Sequence, residues 1–238
     1  MINILIPACG GADFFKESYY PKNLYEVNGK PMIEQVIGNY ESIREKRFIY
    51  ILLQEECNKF HTDNIISLLT EDVDIIRLKA LTGGALCSCL MAVEYIDNET
   101  ELIISNNDQI IDVDFEQVLA QFRDKETDCG VICFDAIHPR WSYVRCIEEH
   151  VVEAAEKRPI SHNAIAGFYY FKRGLDFTAA AKAAIKKGST HDDKYYITSA
   201  INEMILMNKT VRIYSIADGT YHSLYSPEKI RQYEKGES

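Results

Sequence analysis

Short unbroken apolar runs alternate with longer segments of helical periodicity, and this alternation constrains the fold more than any other feature of the chain. Ile2–Pro7 is apolar but for Asn3 and Phe48–Leu53 is apolar throughout, as strands buried on both faces are. Between them, Met32, Ile33, Val36, Ile37, Tyr40 and Ile43 recur at helical spacing behind Pro31, a residue suited to the first helical position. Leu24–Val27 reads as extended and ends in the turn pair Asn28–Gly29. The alternation continues through a helix near Cys57–Leu69, a strand at Val73–Ile76, a helix near Gly84–Tyr95, a strand at Leu102–Ser105, a helix near Phe115–Phe122 and a strand at Gly130–Phe134. Such a pattern predicts an α/β sheet with crossover helices. After Ala136 it changes. Tyr143–Ile147, Val151–Ala155 and Ala164–Phe171 read as a mixed or antiparallel edge. Helices near Leu175–Lys187 and Tyr195–Met207, a strand at Val211–Ser215 and a helix near Pro227–Tyr233 follow. No Gly/Pro/Ser linker or repeat divides the 238 residues, so one domain is expected.

An apolar fraction of 47 % is enough to offset the entropy of ordering the backbone, which excludes a disordered chain. No apolar run approaches the roughly 20 residues of a membrane-spanning helix, and the first strand lacks a basic leader, so a soluble, cytoplasmic protein without membrane partners is expected. Seven cysteines without a CxxC pair read as buried reduced thiols, and six scattered histidines lack metal-ligand spacing. A net charge of −10 argues against nucleic acid as a partner. It leaves room for a mononucleotide, whose charge backbone amides and a divalent cation can meet.

Ligands of open α/β sheets bind beyond the carboxyl ends of the strands, and four polar features fall there. Ala8-Cys9-Gly10-Gly11-Ala12-Asp13 is a loop of small residues whose N–H groups can converge on an anion, although it fits neither GxGxxG nor GxxxxGK[ST]. Lys22 follows it, either a surface charge or a phosphate clamp. Thr82-Gly83-Gly84-Ala85 either admits a flat ligand against its backbone or simply starts a helix with Thr82 as cap. Asp108, behind Asn106 and Asn107, either caps a turn or binds a divalent cation.

Taken in order, these residues resemble the nucleotidyltransferase family that makes nucleotide-sugars. The resemblance runs through Pro7–Ala12, Pro21-Lys22-Asn23-Leu24, Asn28-Gly29-Lys30-Pro31-Met32-Ile33, Thr82–Ala85 and Asn107-Asp108-Gln109. It continues in His138–Tyr143, Glu156-Lys157, Gly167–Phe171 and Ser226-Pro227-Glu228. It is greatest to the branch found in bacterial capsule and surface-polysaccharide clusters. It implies a three-layer α/β/α sandwich of the GT-A kind, Rossmann-like with a mixed sheet. It also implies a reaction in which an NTP and a phosphorylated sugar or small molecule give an NDP-product and pyrophosphate. On this resemblance the single domain 1–238 divides into a nucleotide-binding part, 1–135, and an acceptor-binding part, 136–238. Ala8, Cys9, Gly10, Gly11, Ala12 and Asp13 wrap the triphosphate, and Lys22 holds its phosphates. Thr82, Gly83, Gly84 and Ala85 lie against base and ribose, with Asn107 also on the nucleotide. Asp108 binds Mg²⁺. Lys157 meets the acceptor phosphate, and Asn163 and Gly167 lie near the acceptor. The implied catalytic residues are therefore Lys22, Asp108 and Lys157. CTP is slightly preferred as the nucleotide, and the oligomeric state stays open, a homodimer included.

The chain departs from the family pattern in two places. Ala12 and Phe14 stand where the family loop has glycine and a triphosphate-gripping arginine, and Arg140, Arg145 and Lys16 are the cations left to replace it. The segment Tyr221–Pro227 lacks the second metal-binding aspartate, unless Asp218 serves. Two other readings are therefore carried: a non-catalytic nucleotide-binding relative, and a GT-A glycosyltransferase using Asp112-Val113-Asp114 as its metal motif. The second ranks lower, because that aspartate pair is suited to capping the next helix.

Overall fold

The computed structural model describes residues 1–10 and 13–236. In chain order the first half comprises β1 (Ile2–Pro7), β2 (Glu26–Val27), β3 (Lys30–Pro31), α1 (Met32–Gly38), β4 (Lys46–Leu53), α2 (Gln54–Phe60), α3 (Thr62–Leu69) and β5 (Val73–Leu78). Then come α4 (Ala85–Leu90), α5 (Val93–Ile96), β6 (Leu102–Ser105), β7 (Gln109–Ile111), α6 (Phe115–Asp124) and β8 (Cys129–Asp135). The remainder is β9 (Tyr143–Ile147), β10 (His150–Ala155), β11 (Asn163–Phe171), α7 (Gly174–Lys186), α8 (Ile197–Leu206), β12 (Val211–Ser215), β13 (Tyr221–Ser223) and α9 (Pro227–Glu234).

One mixed sheet organises the chain. Strands β5, β4, β1 and β6 are parallel neighbours, β11 runs antiparallel between β6 and β8, and β12 lies parallel to β8 at the far edge. The β9–β10 hairpin joins β11 through Ala164 and Tyr143. The alternation of side chains sorts the core into two layers. Ile2, Ile4, Ile6, Phe48, Tyr50, Leu52 and Ile103 point to the face covered by α1, α3, α6 and α9. Leu5, Ile49, Ile51, Leu102 and Ile104 point to the face covered by α4, α5, α7 and α8. This is the expected helix–sheet–helix sandwich.

Some boundaries differ from the sequence expectation, each for a local reason. The helix expected over Cys57–Leu69 is two helices, because His61 adopts a left-handed conformation (φ 55°) between them. The helix near Gly84–Tyr95 is interrupted at Ala92. The first helix ends at Gly38, and Tyr40 and Ile43 continue its buried face from a turn. The Asn28–Gly29 pair forms the expected hairpin turn, with positive φ at both residues (50° and 75°). The short ladder pairing β13 with β7 carries too few residues to show a period, and sequence reading missed it.

Two sequence expectations of bonding are decided here. All seven cysteines are free thiols, five of them buried. Thr82 does not cap α4: the cap position is Gly84, and Thr82 Oγ1 bonds the Gly84 carbonyl (2.9 Å) and Ser88 Oγ (2.7 Å). Among the described residues no helix is long and apolar enough to cross a membrane.

Candidate active site

The carboxyl ends of β1 and β6 lie side by side, and the residues that follow them build one wall of a cleft of about 370 Å³. Lys22 opens a single 3-10 turn and crosses to the end of β6. Its Nζ donates to Asn107 Oδ1 and to Asp108 Oδ2, both at 3.1 Å. Asn107 Nδ2 in turn donates to Asn23 Oδ1 (2.7 Å), and buried Asn23 donates to the Ala8 carbonyl (3.0 Å) and Glu56 Oε1 (2.8 Å). The start of the small-residue loop, the lysine and the β6 carboxylate are thus one hydrogen-bonded unit. Burial pushes the Glu56 carboxyl above its ordinary range at the far end of that chain, against the hydroxyl and amide groups that donate to it.

Gly167 is the hinge of the second wall. The register of β11 against β8 shifts between Ile165 and Tyr169, and Gly167 sits in that bulge with φ +58°. Its carbonyl accepts from Asn106 N and Gln109 Nε2, both at 3.0 Å, which ties the bulge to the segment carrying Asp108. A Cβ at this position would collide with the side chains of Asn106 and Gln109. Gly167→Ala should therefore lower stability by about 3 kcal/mol, from left-handed strain plus overpacking, read as a reduced denaturation midpoint.

The turn Thr82–Ala85 is fixed from outside. Gly84 has φ +129°, and a Cβ there would run into the Tyr195 backbone. Tyr195 N donates to the Gly83 carbonyl (2.9 Å), and Leu86 N donates to the Tyr195 carbonyl (3.1 Å). The next residue, Tyr196, lines the cleft with Tyr169, Tyr221, Tyr225 and Trp141. Glu156 lies among these rings. Burial pushes its carboxyl above the ordinary glutamate range, against Ser142 and Thr198, whose hydroxyls donate to Oε2 at 2.6 and 3.0 Å.

The structure therefore brings Lys22, Asn107, Asp108, Ala85 and Gly167 together. Gly11 and Ala12 lie outside the described residues. Asp13 pairs with Lys16 at the surface. Lys157 flanks the cleft lining, with φ +50°; its Nζ donates to Asp192 Oδ2 (3.2 Å) and lies 5.4 Å from the Tyr196 ring. Hydrogen bonds to Tyr196 and Asp192 hold its ammonium above the usual lysine range. Asn163 does not line the cleft; its amide faces Cys146 Sγ at 4.0 Å. Arg145 is occupied by Glu153 on the hairpin, whereas Arg140 lines the cleft. Asp114 caps α6 through Glu116 N (3.0 Å), and Asp112 pairs with His222 (2.9 Å), so neither aspartate of that motif lines the cleft.

Sequence reasoning gave no role to Glu156, Tyr169, Tyr196, Tyr221 or Ser223. Glu156 and Tyr169 sat inside motifs whose neighbours drew the attention, and the other three carried no local signal. Ser223 lines the cleft with Asp108, and its neighbour Leu224 donates its N–H to the Asp108 carbonyl at 2.8 Å. Asp218 is exposed and does not line the cleft. Among the described residues no three His, Cys, Asp or Glu side chains cluster as a metal cage. One carboxylate beside a hydroxyl still suits Mg²⁺, which keeps several waters and takes its other ligands from substrate phosphates.

A mixed sheet with a lysine and a carboxylate at the carboxyl edge of its parallel half defines an α/β protein with a polar cleft where open α/β sheets take their ligands. Residues 17–222 match the nucleotidyl transferase family, and the chain belongs to it. It is an enzyme of the nucleotidyltransferase type, and the family implies NTP and sugar-phosphate substrates. No protein of curated function matches the sequence significantly. Among solved structures, the nucleoside-diphosphate-sugar pyrophosphorylase from Vibrio cholerae RC9 superimposes with a TM-score of 0.80 at 20 % identity, covering 98 % of this chain and 99 % of its own. The inositol-1-phosphate CTP transferase from T. maritima gives 0.78 at 12 % identity, with 100 % and 95 % covered. The UDP-glucose pyrophosphorylase from Acinetobacter baumanii gives 0.70 at 15 %, with 98 % and 92 % covered. At these identities the likeness concerns the fold.

Proposed function

We propose that this enzyme condenses an NTP, with CTP preferred, and a phosphorylated sugar or other small metabolite to an NDP-activated product and pyrophosphate. The observation that carries the reading is the Lys22–Asn107–Asp108 cluster at the end of β6, facing Gly167 and Glu156 across one cleft. A single domain of residues 1–238 is then used in two parts, 1–135 for the nucleotide and 136–238 for the acceptor. The loop from Ala8 to Asp13 and Lys22 receive the triphosphate, Thr82–Ala85 the base and ribose, and Asn107 positions Lys22. An oxygen of the acceptor phosphate attacks the α-phosphorus in line. A new P–O bond forms, the α–β bridging P–O bond breaks, and its electron pair leaves on pyrophosphate. No protein nucleophile is needed, only positioning and charge neutralisation. Mg²⁺, held by Asp108 with phosphate and water, supplies Lewis-acid charge neutralisation when bound.

The acceptor lies among Tyr169, Tyr196 and Trp141, with Glu156 as a hydrogen-bonding group and Lys157 turned from Asp192 onto its phosphate. The departures at Phe14 and in Tyr221–Pro227 fit an acceptor other than the commonest sugar phosphates, or a changed phosphate grip. The slight preference for CTP rests on the habit of relatives that accept non-sugar phosphates. A cytoplasmic role in assembling capsule or surface polysaccharide suits such a product.

The test is pyrophosphate release with the four NTPs against a panel of phosphorylated sugars, polyols and amino-alcohols. Turnover with one NTP–acceptor pair, strongest with CTP, is expected. No release with any pair would overturn the proposal. For the productive pair, Lys157→Ala should raise KM for the acceptor by ~10–100-fold and leave KM for NTP within about threefold.

A further inference from the structure

The cleft lining contains two carboxylates, Asp108 and Glu156, and one cation, Arg140. Among the described residues Arg140 makes no ion pair, whereas Arg123, Arg145, Arg173 and Arg212 each face a carboxylate. Arg140 is held by rings instead. Its guanidinium carbon lies 4.1 Å from the Tyr225 centroid and 5.4 Å from that of Trp141. The turn that presents it is pinned, because Tyr143 OH donates to the His138 carbonyl (2.6 Å) and Arg140 N donates to His138 Nδ1 (3.2 Å). Tyr225 also meets Phe14 edge-on, ring centroids 5.5 Å apart, immediately beyond the small-residue loop. The platform under Arg140 therefore touches the nucleotide end of the cleft, while Glu156 and Tyr196 occupy the acceptor end.

A guanidinium held over aromatic rings, and weakly hydrated, keeps N–H groups free for a ligand, and arginine can grip phosphate bidentately. The incoming triphosphate brings several negative charges to this cleft, and the nearby Lys22, which stands behind the lining, is already shared with Asp108. Resting on the nucleotidyltransferase reading, we infer that Arg140 is a phosphate-binding residue that grips the pyrophosphate end of the NTP. It supplies from the 138–141 turn the cation that Phe14 does not supply from the loop, and Tyr225 is its positioning residue.

The experiment is calorimetric titration of the full chain with Mg²⁺-pyrophosphate and with each of the four NTPs, followed by steady-state kinetics. Arg140→Ala should weaken pyrophosphate binding by ~10–100-fold and raise KM for NTP comparably, with the acceptor KM within about threefold. Arg140→Lys, which keeps charge but loses the fork, should fall between the two and serves as the test if the alanine variant melts early. Unchanged pyrophosphate binding in both variants overturns the assignment, and so does a rise confined to the acceptor KM. If wild type binds pyrophosphate but shows no turnover, the proposed function fails while the role of Arg140 is still measured. If wild type binds neither pyrophosphate nor NTP, both readings fall.

Discussion

Asp108→Asn is expected to lower Mg²⁺-dependent turnover by about 10³-fold while leaving the melting temperature almost unchanged. A Lewis-acid ion at a transferring phosphoryl group stabilises the transition state by several kcal/mol, and 10³ corresponds to about 4 kcal/mol. The other carboxylate of the cleft lining, Glu156, is held by Ser142 and Thr198, and the ladder sets Ser223 opposite Gln109, the residue after Asp108. Nothing there takes over the charge. Asparagine keeps the shape, and its carbonyl can still accept from Lys22, so the fold loses at most a half-buried ion pair, about 1 kcal/mol. Initial rates against Mg²⁺ concentration, alongside a thermal melt, check both parts. Normal turnover in this variant would remove the metal assignment.

Lys22→Ala should cost on the order of 10²–10³ in kcat/KM, the usual penalty for deleting a charge donor aimed at a developing anion. Lys22 is also structural, because it bonds Asn107 and Asp108 and both partners lose a donor with it. Stability should fall by about 1–2 kcal/mol through the unpaired acceptors. Rate and stability losses are separable by measuring kcat/KM well below the melting transition. Unchanged kcat/KM there would reduce Lys22 to a partner of the β6 carboxylate.

The parallel half of the sheet was legible because its strands are buried on both faces, so Ile2–Pro7 and Phe48–Leu53 announce themselves without reference to any partner. The helix breaks were not. A left-handed histidine at residue 61 leaves the apolar period of the surrounding segment intact, and nothing local forbids a continuous helix there. The meeting of Lys22 and Asp108 was readable from residue chemistry near strand ends, since each follows a central parallel strand. The opposite side of the cleft is built from residues of four separate segments. Tyr169, Tyr196 and Tyr221 look like ordinary core tyrosines in sequence, and only the sheet order places them around Glu156. Asn163 was named from the family resemblance alone; it pairs with Asp135 at the start of β11, ahead of the Gly167 bulge, and its amide faces Cys146 rather than the cleft lining.

The dipeptide Tyr195–Tyr196 belongs to both halves of the cleft at once. Two main-chain hydrogen bonds fasten the first residue to the glycine turn proposed to receive the base and ribose, and the ring of the second lines the cleft on the proposed acceptor side. On the proposed function, a shift that nucleotide imposes on Gly83 and Leu86 would also shift Tyr196, with no intervening residue to absorb it. Thermodynamically this makes the two ligands coupled variables: whatever factor the first contributes to the affinity of the second, the second returns to the first.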